Sequence, residues 1–391
     1  MAFDFDARLD RRPFHSLKWS TQDPDVLALP VADMDFATAP AIQEVLHRLV
    51  DHGALGYPIE PPQLAEHVAA FVSARHGWHI SPDTITFFAG VLAGVRAALD
   101  AFTHPGDAFV TLTPVYPPLF GIGRSMDRVA RMVPLRCDAG GHYAVDWDRL
   151  EEALSGARAL ILCSPHNPVG RVFARDELQG IAELAIRHDA IVISDEIHAD
   201  LVLGNRPHIP LGSLDHGIAK HSITLMAPSK TFNIAGLPLG FAITPDPALR
   251  ARLRRSARSA GCAITLPAWI AAEAAYSDPD AEAWLEALLA YLRGNMAFTA
   301  DTIARDLRNI TLSPAEGTFL AWLDLSDLDL PEQPAAYLLR HARVALNEGS
   351  SFGPGGEGHV RLNIGCPRAL LSEALQRIKG VLCGIQSTSR S

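Results

Sequence analysis

From about residue 60 the chain alternates two textures. Short apolar or β-branched runs at Ile85–Phe88, Ala108–Leu112, Ala159–Cys163, Ile191–Ser194, Ile223–Ala227 and Leu239–Ile243 are separated by amphipathic stretches, among them Val91–Phe102, Arg175–His188 and Pro247–Ser259. Strands alternating with helices long enough to cross over predict parallel βαβ units, hence an α/β sandwich. After about residue 282 the texture changes to a long helical pattern through Leu307, a strand at Thr318–Leu325, a helix near Gln333–Ala342 and a strand at Val360–Ile364. That order predicts a smaller α+β domain. The expected division is a large domain over 50–282, a small domain over 283–391, and an N-terminal segment, 1–49, that joins the small one. Residues 349–358, GSSFGPGGEG, are either a flexible loop or an active-site loop, and the polar stretch Gln386–Ser391 is expected to fray.

Composition narrows the class. With 48% apolar and 20% charged residues among 391, the chain has the material for a sizeable core and is far from the disordered range. A formal charge of −10 disfavours a nucleic-acid binder, which needs a positive face. Five scattered cysteines without a C-x-x-C pair are expected to be reduced thiols of a cytoplasmic protein. The first twenty residues lack an apolar signal core, and the apolar stretch Ala260–Tyr276 holds Pro267 and Glu273, which predicts a buried helix, not a membrane span.

Several residue groups are able to carry chemistry, each with a plainer reading beside it. In Ala227-Pro228-Ser229-Lys230-Thr231-Phe232-Asn233 a lysine follows a predicted buried strand. Desolvation would lower its pKa and make the amine a nucleophile toward carbonyls, unless its head simply reaches solvent. Asp195 stands at the end of Ile191–Ser194, where a carboxylate suits a protonated ring nitrogen or, alternatively, a helix cap. Asn167 lies in Ser164-Pro165-His166-Asn167-Pro168, which is also an ordinary Asn-Pro turn. Gly90 before Val91–Phe102 makes a strand-turn-helix junction of the kind that receives phosphate on free amides. Tyr116 offers an aromatic face, and Arg361, inside a predicted strand, offers a carboxylate partner or a surface ion pair. Asn167, Asp195 and Lys230 are 28 and 35 residues apart, room for one crossover each time, so all three are expected on one sheet edge.

Together with Val31-Ala32-Asp33-Met34-Asp35-Phe36, Gly56-Tyr57-Pro58, Asp195-Glu196-Ile197-His198 and Arg361-Leu362-Asn363-Ile364-Gly365, these motifs resemble fold-type I pyridoxal-phosphate enzymes of the class I/II aminotransferase superfamily. Within it the chain is most similar to the cystathionine β-lyase branch of carbon-sulfur lyases. The resemblance implies a mostly parallel seven-stranded sheet between helices and pyridoxal 5′-phosphate as cofactor. It makes Lys230 the Schiff-base lysine and proton shuttle, Asp195 the partner of the pyridine nitrogen, and Asn167 a donor to the phenolic oxygen beside His198. Tyr116 would lie on the ring face and take part in catalysis. Val91 and Leu92 amides with Ser229 would hold the phosphate, with Tyr57 reaching a neighbouring subunit's phosphate. Arg361, Asn167 and Asp33 would bind substrate. A homodimer with shared sites is implied, acting on an amino acid, with no metal.

Three positions depart from the aminotransferase pattern: His198 replaces a tyrosine, Pro238 an arginine and Ala227 a serine. The implied reaction is α,β-elimination from an S-substituted L-cysteine, such as cystathionine, to thiol, pyruvate and ammonia. The alternatives are an aminotransferase, or a natural-product enzyme acting on a bulky cysteine conjugate. His76-Gly77-Trp78-His79 lacks accompanying metal ligands, and the arginines between Arg250 and Arg258 are expected on a solvated helix face.

Overall fold

A computed structural model describes residues 3–215, 217–259 and 263–388, with side chains to 383. Seven strands form the main sheet: β1 (Ile85–Phe88), β2 (Ala108–Thr113), β3 (Val129–Pro134), β4 (Ala159–Cys163), β5 (Ile191–Asp195), β6 (Ser222–Met226) and β7 (Gly240–Ile243). Their order across the sheet is β1-β7-β6-β5-β4-β2-β3. β6, β5, β4, β2 and β3 pair in parallel, whereas β7 runs antiparallel to both of its neighbours. The central strands are buried throughout, which explains their unbroken apolar runs: helices cover both faces. The mostly parallel seven-stranded sheet implied by the resemblance is present.

β3 was not anticipated. It is an edge strand whose exposed Val129 and Met132 alternate with half-buried positions, so Arg131 interrupts what would otherwise be an apolar run. The other predicted strands are met within one or two residues.

A second sheet of β8 (Thr311–Leu312), β9 (Leu320–Asp324), β10 (Asn347–Glu348) and β11 (His359–Asn363) is antiparallel, in the order β8-β9-β11-β10. The N-terminal segment joins this part of the molecule through parallel pairing of Leu27–Ala28 with Val344–Ala345. We propose the division 50–282 and 283–391, with 1–49 attached to the latter. Both boundaries fall inside helices, Pro40–His52 and Pro279–Asp306, so continuous helices link the two parts.

The helix predicted within Ala260–Tyr276 spans Leu266–Ser277, and residues 260–262 lie outside the described residues. The last helix, Arg368–Thr388, includes the first three residues of the stretch expected to fray; 389–391 lie outside the described residues. Among the described residues no helix is long and apolar enough to cross a membrane. The arginines of Pro247–Ser259 do more than face water: Arg250 pairs with Asp83 at 2.9 Å, Arg254 donates to Ile85 O and Thr86 Oγ1, and Arg252 lies over Phe102. They tie this helix to the sheet edge.

Candidate active site

The carboxyl ends of β1, β2, β4, β5 and β6 meet the start of β7 at one rim, where an open α/β sheet receives ligands. The rim encloses a cavity of about 430 Å³ whose walls include Lys230, Asp195, Asn167, Tyr116, His198 and Arg361. This volume lies in the range of small-molecule sites, about 300–1,000 Å³. Residues 167, 195, 230 and 361, separated by up to 194 positions in sequence, thus share one chamber.

Lys230 sits in the single helical turn Pro228–Thr231 that begins directly after β6 and Ala227. Its Nζ donates to Ala32 O at 2.6 Å. Burial pushes the amine down to about 8; Asp33 and Asp195 oppose that shift, and Arg361 adds to it. Of the two readings of Lys230, the structure fits the desolvated one: the residue is half-buried and lines the cavity.

Asp195 ends β5, in register with Cys163 on one side and Leu225 on the other. Its carboxylate accepts Ile197 N–H at 3.2 Å and, among the described residues, nothing else. Burial raises this acid to about 7, aided by Glu196 and opposed by Ile197 N–H and Lys230. An acid in that state invites a cation.

Asn167 Oδ1 accepts from Arg361 Nη1 at 2.8 Å, while its backbone oxygen accepts Tyr116 N–H at 3.0 Å. Arg361 also donates through Nη2 to Pro30 O (2.8 Å) and Asn347 Oδ1 (2.6 Å), and its plane lies 4.9 Å from the Phe352 ring centre. Burial lowers its pKa to about 10, which leaves it charged at neutral pH, and its Nε has no partner. Tyr116 is pushed up by burial and by Asp195, so it stays a phenol. His198 is held down at about 3 by burial, Lys230 and Arg361; it is neutral, with a buried and unpartnered Nδ1.

At the other end of the cavity, Gly90 takes φ +93° before the helix Val91–Phe102, a conformation suited to glycine. No side chain caps this helix, so the amides of Val91, Leu92 and Ala93 lack intrahelical partners. Ser229 lines the same chamber. Gly240 is needed here as well: a Cβ would stand 2.9 Å from Val91 N. Pro238 is at the wall and Ala227 is buried, and among the described residues lining the cavity only Lys230 and Arg361 are cationic. The polar groups at this end are therefore backbone amides and Ser229, a set that suits an anion such as phosphate.

Two predicted residues are not brought in. Tyr57 is fully exposed, outside the cavity, on an irregular segment with exposed Leu55 and Ile59. Asp33 also stands outside the wall: its neighbours Val31 and Ala32 line the chamber, while its carboxylate pairs with Arg11 at 2.7 Å. Arg11 engages both Asp33 oxygens, and the charge of Asp33 acts on Lys230 from outside the wall. Asn347 and Phe352 were missed. The first lies on a two-residue strand with no pattern to read, and the second lies in the glycine-rich stretch, which forms the turn Gly349–Phe352 and packs behind Arg361. That stretch is structural backing for the site. His76 pairs with Asp200 at 2.9 Å and His79 with Ser73 at 2.6 Å.

An unpaired acid, a desolvated amine, uncapped helix amides and an aromatic face fit a phosphate-bearing aldehyde with a basic ring nitrogen. Residues 24–378 match the family model of class I and II aminotransferases. The chain belongs to this family. Cystathionine β-lyase PatB of Bacillus subtilis is 38% identical over 97% of this chain and all of its own length. Among solved structures, cystalysin from Treponema denticola, which contains pyridoxal 5′-phosphate, superposes with a TM-score of 0.93 at 34% identity, covering 98% of this chain and 100% of that one. A pyridoxal-phosphate-bound C-S lyase from Staphylococcus hominis gives 0.90 at 28% identity over 98% of each chain. The family resemblance drawn from the motifs is borne out, and class I and II aminotransferases with lyase names are the chain's relatives over nearly its full length.

Proposed function

We propose that this protein is a pyridoxal-phosphate-dependent carbon-sulfur β-lyase that converts an S-substituted L-cysteine into a thiol, pyruvate and ammonia. One observation carries the reading: a desolvated lysine amine shares one chamber with an unpaired carboxyl and a buried arginine. The cofactor, when bound, supplies an aldehyde for amines and a ring that takes up an electron pair.

The chain's residues divide the remaining work. Arg361 holds the substrate carboxylate by charge-assisted hydrogen bonds, with Asn167 fixing the guanidinium from one side. Asp195 keeps its negative charge against the protonated ring nitrogen, and that cation brings the acid down from about 7. Val91 and Leu92 amides and Ser229 would hold the phosphate, Tyr116 would offer its aromatic face to the ring, and neutral His198 would serve on the side of the phenolic oxygen. Lys230, neutral in part at physiological pH, takes the α-proton. The bond from β-carbon to sulfur then breaks with its electron pair on sulfur, which is protonated to the thiol; water completes the release of pyruvate and ammonia.

Purified protein with pyridoxal phosphate should release thiol and pyruvate one-to-one from cystathionine or from a panel of cysteine conjugates, and Lys230→Ala should release neither. No product from any conjugate with the intact chain would overturn the reading. The family match also favours a second outcome, transamination, which accumulation of pyridoxamine phosphate and a keto acid in a single turnover would reveal. A homodimer with a cytoplasmic location completes the proposal. Leu55, Tyr57 and Ile59, exposed together on Gly53–Pro61, form the apolar surface that such a partner would cover.

A further inference from the structure

Residues 30–36 run past the cavity, with Val31 and Ala32 in its wall, and every residue of the run has at least one peptide group held. Pro30 O accepts from Arg361 and Ala32 O accepts from Lys230. Val31 O and Asp33 O both accept from Asn363 Nδ2, at 2.7 and 2.6 Å. Met34 N–H donates to Asn233 Oδ1 at 2.9 Å, while Asn233 Nδ2 donates to Met34 O and Phe36 O at 3.0 and 2.8 Å. Asp35 N–H donates to Gly365 O. Asn233 follows Lys230 by three residues, at φ +55°, and Asn363 follows Arg361 by two. Asn233 therefore sits in the turn that directly follows the Lys230 helix, Asn363 on the strand that carries Arg361, and both grip the same strap. The strap is anchored from outside as well, by Arg11 and Lys18 on Asp35.

We propose that Asn233 and Asn363 are positioning residues that act through this strap, fixing the Lys230 amine and the Arg361 guanidinium relative to each other. The inference rests on the lyase reading only in what is bound. The grip is mutual: loosening the lysine end frees Pro30 O from Arg361, and loosening the arginine end frees Ala32 O from Lys230. The mark of such a link is that damage at one end is felt at the other.

Two variants test it in the full-length protein. Asn233→Gly keeps the positive φ without strain and removes three hydrogen bonds. It should raise KM for an S-substituted cysteine about tenfold, at the arginine end, with a smaller change in kcat. Asn363→Ala should shift the pH of half-maximal pyridoxal phosphate uptake by the cofactor-free chain to lower values, because the ammonium form of Lys230 loses its carbonyl acceptor. The double variant should be little worse in kcat/KM than the poorer single one, since both break one bridge. Asn363→Ser carries the same test should the alanine variant fail to fold. Unmoved uptake pH in the Asn363 variants, an unmoved KM in Asn233→Gly, or strictly multiplicative losses in the double variant would overturn the proposal. Failure of the lyase reading itself shows separately, as an intact chain that takes up cofactor but yields no thiol.

Discussion

Arg361 shows how much a single side chain's surroundings decide. Two asparagine oxygens and a backbone carbonyl fix its plane and leave Nε–H without a partner. Arg361→Lys cannot reproduce that fork, and loss of a hydrogen bond to a charged group is worth about 1.5–3 kcal/mol. KM for a cysteine conjugate should accordingly rise about 10–100-fold, with kcat changed less, in steady-state kinetics. Asp195→Asn removes the charge opposite the ring nitrogen and should lower kcat by roughly a hundredfold or more while pyridoxal phosphate still binds. Lys230 gives a pH signature: its pKa is lowered, so the reactive free amine appears at lower pH than for an ordinary lysine. Cofactor uptake by the cofactor-free chain should therefore rise with pH and level off above about 8, well below 10.5. Asp195 and Lys230 were legible in sequence because each stands at or just past the end of an apolar run, and Arg361 because it puts a charge inside a strand, where a polar group is conspicuous. The partner of Asp33 was not legible: motif position says which backbone reaches the cavity, but its pairing with Arg11 depends on a residue 22 positions away.

At the level of elements, the proposed cradle for phosphate rests on a contact between β7 and the helix that follows β1. Gly240 passes so near Val91 N that a methyl group forces backbone apart. Gly240→Ala should weaken pyridoxal phosphate binding at least about tenfold by equilibrium titration, with lesser effect on secondary structure. The N-terminal strap offers a second test. Lys18 is fully buried, 2.8 Å from Asp35, which also accepts from Arg11 and Trp19. Asp35→Asn takes the nearer carboxylate from that ammonium and leaves Asp33 Oδ1 at 3.9 Å, and breaking a buried pair costs about 3–5 kcal/mol. The midpoint of urea unfolding should fall accordingly, and by more than for Arg11→Ala, whose loss leaves Lys18 still paired. Helices and central strands were readable because burial on both faces enforces unbroken apolar runs. β3 and β10 were not: one is wetted, and the other is two residues long, held by its neighbours instead of by any pattern of its own.

For the molecule as a whole, the site within one chain is complete for carboxylate, lysine and ring acid, but thin in positive charge at the phosphate end. Exposed Tyr57 fits a contribution to a second copy. Light scattering should give about twice the 42.2 kDa chain mass, and Tyr57→Ala should weaken pyridoxal phosphate binding without changing that mass. Which chain a residue serves is invisible in a sequence, because assembly writes no periodicity. The reversed direction of β7 has a reach beyond the cradle. Nine residues, 231–239, separate Lys230 from Gly240, and both ends of that run are pinned to the same chamber wall. Its length is thereby set: an inserted residue would bulge into space meant for ligand, whereas one placed in the exposed turn 104–106 before β2, on the far side of the sheet, would meet solvent. Insertion scanning should find this enzyme intolerant of added length on one rim and indifferent to it on the other.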